Sequence, residues 1–119
     1  MNYDQNNAFA KILRGELPCK KVYEDDHVLA FHDIHPLANV HVLVIPKGPY
    51  LSLNEFIHGG SDVELAALLR GVGHVVKAMG IEKSGYRILV NTGTHGGQEV
   101  PHLHVHIFGG KRLGRMLPE

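Results

Sequence analysis

His102-Leu103-His104-Val105-His106-Ile107-Phe108 alternates polar and apolar residues. Strand side chains point to opposite faces in turn, so this pattern predicts a strand from Pro101 to Phe108. Leu103, Val105 and Ile107 would enter a core. His102, His104 and His106 would line the other face, each roughly 6.6 Å along from the last. Three imidazoles on one rigid element make a site able to hold anions, share protons and supply a nucleophile near neutral pH.

Three readings of that face compete. A solvated strand face normally varies among Lys, Glu, Thr and Ser, which argues against a chance run of histidines. Zinc can be chelated by neighbouring histidines through bonds of about 2.0–2.1 Å. The outer pair, however, lies roughly 13 Å apart on an ideal strand, and no Cys or His-Glu cluster has matching spacing. The favoured reading is nucleophilic attack on phosphorus, because a neutral imidazole can form a covalent intermediate there without a metal.

The flanking segments fit that chemistry. Asn91-Thr92-Gly93-Thr94-His95-Gly96-Gly97-Gln98-Glu99-Val100 is glycine-rich and follows an expected strand. Such loops present backbone N–H groups to phosphate oxygens, although this one lacks the Gly-Lys-Ser/Thr ending of a P-loop. His41 sits among Val40, Val42, Leu43, Val44 and Ile45. On that context alone it reads as a hydrogen-bonded core residue. Asp33 follows Phe31-His32 and precedes a loop. It is either a capping residue or an acceptor for ribose hydroxyls.

The rest of the chain supplies elements around these residues. Asn7 caps a short helix carrying Phe9, Ile12 and Leu13. Strands are expected at 20–23, 28–32, 40–45 and 86–90. Ser61 and Glu64 form a capping box before a helix over 61–79. Its stripe is Leu65, Leu68, Leu69, Val72, Val75, Val76 and Met79, with Gly80 as the stop. Gly71 and Gly73 weaken this helix intrinsically, so packing must hold it. The elements do not alternate regularly, and several connections look like hairpins. The expected class is therefore α+β, with a mainly antiparallel sheet of five strands and two main helices.

Length and composition set limits. The 119 residues suit a single domain, 1–119, and the formal charge is zero, so no basic footprint argues for nucleic acid. Ten histidines make charge sensitive to pH. One cysteine, Cys19, excludes an internal disulfide and fits a reducing, cytoplasmic setting. The start of the sequence lacks the pattern of a signal peptide, and no apolar run reaches the roughly 20 residues that span a bilayer.

The His-φ-His-φ-His-φ-φ pattern, with φ apolar, resembles the motif of the histidine triad (HIT) superfamily. The stretches 9–18, 30–34, 41–47 and 85–91 resemble its nucleotide-binding (HINT) branch, as do Gly96-Gly97-Gln98 before the triad and Gly109-Gly110 after it. The likeness covers roughly residues 8–115. It implies that His104 is the nucleophile, that His102 and His106 are its partners, and that His41 is a fourth site histidine. His106 would contact the phosphate, and backbone near His102 would orient the nucleophile ring. Asp33 would bind ribose, and Phe9, Ile12, Phe31, His32 and Ile34 would wall a purine. Asn91, Gly97, Glu99 and Val100 would lie at the phosphate and leaving group.

The resemblance also implies a homodimer with one continuous sheet, in which the helices over 61–79 pack across the two-fold axis. The implied activity is hydrolysis of purine nucleoside 5'-phosphoramidates through a nucleotidyl-histidine, with no metal or other cofactor. Two departures stand out. Glu99 occupies a position where many relatives have Ser. Pro101 replaces an aromatic and is similar to some dinucleoside polyphosphate hydrolases of the superfamily. That activity, or a nucleotide-sensing scaffold role, is the alternative. The tail at 115–119 is short for an element that tunes selectivity in HINT relatives.

Overall fold

The computed structural model describes residues 2–117. Met1 and the tail's Pro118 and Glu119 lie outside the described residues. Eight elements follow in order: α1 (Ala8–Leu13), β1 (Lys21–Glu24), β2 (Val28–His32), β3 (Val40–Pro46), α2 (Leu53–Gly59), α3 (Asp62–Ala78), β4 (Tyr86–Leu89) and β5 (Val105–Gly109). The five strands form one sheet in the order β1-β2-β3-β5-β4, and all four pairings are antiparallel. This is the expected α+β architecture.

Alternation assigns the two faces of the sheet. Val28 and Ala30 of β2, Val42 and Val44 of β3, and Val105 and Ile107 of β5 face α3. They pack with Leu68, Val72, Val75 and Val76 of that helix, and each side chain of this size contributes about 1.5–3 kcal/mol on burial. The Ser61–Glu64 capping box is present in full and fixes where α3 begins. Gly71 lies under this layer, because a Cβ there would stand 3.0 Å from Val28 Cγ2. The glycine that weakens the helix also lets it approach the sheet. Leu69, expected in the buried stripe, is instead 67% exposed.

The opposite face carries Leu29, Phe31, Leu43 and Ile45, covered by Phe9 of α1. Asn7 starts that helix by accepting from the Ala10 amide at 2.9 Å.

Two expectations are corrected. A third helix, α2, occupies a stretch with no predicted element. Its signal was Ser52 followed three residues later by Glu55, an N-terminal pairing seen here as Ser52 Oγ donating to Glu55 Oε1 at 2.7 Å. The last strand begins at Val105, four residues later than expected. Its pairing with β3 ends at Val44–Val105. Beyond that point the Pro46 carbonyl accepts from the His102 ring at 2.8 Å rather than from a backbone amide. Pro101 has no amide to extend a ladder. Even so, Leu103 is 1% exposed in the α3-side core, so the alternation outlasts the regular strand.

Candidate active site

The histidines meet where β3 and β5 lie side by side. His41 pairs with Phe108 and Leu43 with His106, which sets both imidazoles on the face opposite α3. Phe108 stacks on His106, with ring centroids 5.6 Å apart and planes 5° from parallel. Phe9 reaches the same place from α1, its ring 5.0 Å from His104 and 5.5 Å from Phe31. The site is a wall of rings built by four elements, α1, β2, β3 and β5, and the irregular segment before β5.

Hydrogen bonds assign a tautomer to each imidazole. The Leu37 amide donates to His41 Nδ1 at 3.1 Å, so neutral His41 carries its proton on Nε2. That atom lies 2.9 Å from His106 Nδ1 and 3.4 Å from Asp33 Oδ2. His106 therefore accepts at Nδ1 and holds its own proton on Nε2. His104 Nδ1 donates to the His102 carbonyl at 2.8 Å, which leaves a lone pair on His104 Nε2. His102 donates from Nε2 to the Pro46 carbonyl and accepts at Nδ1 from the Tyr3 hydroxyl. Two neighbouring rings, with centroids 5.0 Å apart, thus offer complementary atoms. His104 has a basic nitrogen and His106 has an N–H.

Burial keeps these rings uncharged. Desolvation pushes His102 down to about 4, against the helpful hydrogen bond to Pro46. Desolvation lowers His106 to about 4, with neighbouring His104 and His41 adding to the effect and Asp33 opposing it. His104 and His41 are also lowered chiefly by desolvation, and Asp33 pulls both the other way. Glu99 also raises His104, so its carboxylate is within electrostatic reach of that ring although it is exposed. Nucleophilic attack needs the neutral form, and the fold supplies it.

The glycine loop is a formed structure. Asn91 Nδ2 donates to the Gly96 carbonyl at 2.6 Å, and Gln98 Oε1 accepts from the Gly93 amide at 3.2 Å. Gln98 Nε2 also donates to the carbonyls of Leu51 and Val100, tying the loop to the chain before α2. Gly96 admits no side chain, because a Cβ would fall 2.3 Å from the Thr92 carbonyl oxygen. Gly97 has φ +74°, a conformation that favours glycine.

With this geometry, similarity to known proteins is informative. A family model described as the HIT domain matches residues 14–113. The chain belongs to the HIT family. It is 56% identical over 115 residues to an uncharacterized HIT-like protein of Azospirillum brasilense, covering 97% of this chain and 94% of that one. It is 40% identical over 113 residues to the purine nucleoside phosphoramidase of Escherichia coli strain K12, covering 95% and 94%. The solved structure of a HIT family hydrolase from Clostridium thermocellum superimposes with a TM-score of 0.89 at 39% identity, covering 96% of this chain and 99% of that one. Relatives of this HIT protein thus include hydrolases.

The site residues expected from the HIT resemblance do not all converge. His41, His102, His104, His106, Phe9 and Phe31 share one face. Ile12 and Val100 pack at the edge of the apolar layer beside Phe9. Ile34 stands 84% exposed beside Asp33. His32 pairs with Val42 and so lies, by alternation, on the α3 side away from Phe31. Only its backbone remains available to the ring wall. Asp33 uses Oδ1 to accept from the His35 amide at 2.8 Å and turns Oδ2 toward His41.

Asp33, His41 and His106 bring possible metal-ligand atoms within 4.8 Å of one another, a set whose members are too far apart in sequence to show any ligand spacing. Hydrogen bonding joins His41 to His106, and His41 Nε2 also faces the Asp33 carboxylate. Tyr3, Phe108, the Leu37 amide and the Pro46 carbonyl were not anticipated from sequence. Only Phe108 had a local signal, the alternation that also placed His106. Among the described residues, no helix is long and apolar enough to cross a membrane.

Proposed function

We propose that this protein hydrolyses purine nucleoside 5'-phosphoramidates through a nucleotidyl intermediate on His104. The observation that carries the proposal is the locked tautomer of that ring. Its Nδ1–H is held by the His102 carbonyl, so the Nε2 lone pair is the one atom left for attack. The similarity to a named phosphoramidase supports the same choice of bond.

In this reading the base rests against Phe9 and Phe31, with Ile12 and Ile34 at its margin. Asp33 keeps lone pairs for the ribose hydroxyls. The glycine loop, through Asn91, Gly97 and the backbone of Glu99 and Val100, faces the phosphate and leaving group. His104 Nε2 attacks phosphorus in line with the amine. A bond from phosphorus to His104 forms, the bond to the amine breaks, and the amine leaves with a proton delivered inside the site. His106 Nε2–H, backed by His41 and Asp33, stabilises charge on a phosphoryl oxygen. Water then releases the nucleotide and restores neutral His104. Positioning and charge stabilisation supply most of the rate gain in transfers of this type.

The protein would act as a homodimer. β4 is an edge strand whose Tyr86 and Ile88 are 46% and 44% exposed, and Leu69 of α3 is bare as well. A second copy adding its own β4, with its α3 packed against this one across the two-fold axis, would cover them.

The deciding experiment quenches a reaction with radiolabelled adenosine 5'-phosphoramidate and maps the label. An adduct on His104 is expected. Label on another residue, or none on protein during turnover, would reject the mechanism. Competition with diadenosine polyphosphate measures the rival hydrolase activity, and tight monophosphate binding without turnover would favour a sensing role.

A further inference from the structure

We infer that Tyr3 is a positioning residue for the nucleophile, acting through His102. The inference rests on the proposed role of His104 and adds to it a residue from the far end of the chain.

The argument starts from His102, whose side chain is wholly buried. A buried imidazole must satisfy both nitrogens or lose about 1–3 kcal/mol for each one left bare. Its Nε2 faces the Pro46 carbonyl, which only accepts, so Nε2 carries the proton. Its Nδ1 is then an acceptor, and the group that meets it is the Tyr3 hydroxyl. The two rings also meet edge to face, with centroids 5.6 Å apart.

Tyr3 is itself held in place. The Asp4 carbonyl accepts from the Asn7 amide at 3.2 Å and from Asn7 Nδ2 at 2.7 Å. Asn7 is buried and is the residue that caps α1. Arg14 Nη1 donates to the Gln5 carbonyl at 2.7 Å. The segment before α1 is thus fastened to both ends of that helix.

The link to chemistry is the His102 backbone. Residues 101–104 are not in a strand, so no ladder fixes the carbonyl that orients His104. It is fixed instead by local ties. The His102 amide donates to the Val100 carbonyl at 2.9 Å, and the Leu103 amide donates to the Tyr50 carbonyl at 2.9 Å. The His102 ring completes the set by being pinned at both nitrogens. Without Tyr3 the ring loses one of its two pins, and the carbonyl holding His104 Nδ1–H gains freedom. Displacements of about 1 Å at a reacting group can cost on the order of a hundredfold in rate.

The test compares wild type, Tyr3→Phe and Ser61→Ala, the last weakening the cap of α3 on the opposite face of the sheet. Two measurements are made: steady-state kinetics with adenosine 5'-phosphoramidate, and two-bond proton–nitrogen correlation spectra of protein labelled with nitrogen-15 histidine. Tyr3→Phe should lower kcat about tenfold with KM within about twofold, and should move the ring-nitrogen resonances of His102, at Nδ1 above all, and of His104. Ser61→Ala should lower Tm alone. A Tyr3→Phe protein that loses Tm but keeps kcat and both ring signatures would overturn the inference. If wild type shows no turnover, the catalytic reading fails by itself, while the ring spectra still show whether Tyr3 holds both rings.

Discussion

The two faces of the sheet are made by the same strands and solve opposite problems. On the α3 side, Val28, Ala30, Val42, Val44, Val105 and Ile107 meet a helix, and shape and dryness are all that is asked of them. On the other side, His41 and His106 alternate with those same residues along β3 and β5, and His104 extends the line. Each ring there has at least one nitrogen bonded within the protein. Apolar packing tolerates small shifts, whereas a hydrogen-bonded chain of imidazoles fails at its first missing member. One face therefore holds the fold together, and the other stores a defined set of proton positions at the expense of burying polar groups.

That contrast can be broken experimentally, beginning where the effect should be largest. His104→Ala should reduce kcat on a phosphoramidate by on the order of a thousandfold or more while Tm changes little, measured by product formation and by thermal melting. Ile107→Ala, one residue beyond His106 and facing the other way, should cost about 2–5 kcal/mol in denaturant unfolding and leave kcat of the folded fraction near wild type. If Ile107→Ala destroyed activity in fully folded protein, the division between the faces would be wrong.

Acid should act through the ring face. His102 and His106 are held at about 4, below the 6.5 of an ordinary histidine. The unfolded chain thus binds more protons between those values. Stability is complete above about pH 6.5 and falls as pH drops toward 4, by on the order of 3 kcal/mol from His102 alone. Urea unfolding across that range measures it, and a flat profile would mean the rings are not buried as described. Smallest of all, Ser61→Ala should cost about 1 kcal/mol with no change in kcat.

The same contrast explains what could be read from sequence. Alternation through His102–Phe108 placed Leu103, Val105 and Ile107 in the core and His102, His104 and His106 on the other side. Ser61 and Glu64 announced α3, and Asn7 announced α1. These signals are local, since each depends on residues within one strand or one helical turn. The length of β5 was not legible, because it depends on whether the Pro46 carbonyl meets an amide or the His102 ring. Tyr3 and His102 are 99 positions apart, and no spacing rule joins them. His41 looked like a plain core residue from its neighbours. Its partners, Asp33, Leu37 and His106, become visible only once β3 lies beside β5.

One irregularity at the rim of the sheet bears on assembly. β1, the edge remote from β4, changes register between Lys21 and Tyr23, so its outward groups do not form an even row. Such a bulge twists an edge out of reach of a new strand. The proposed homodimer uses the β4 border, and two such borders joined by a two-fold axis would consume each other. In that proposed pair, growth by strand addition would stop at two copies.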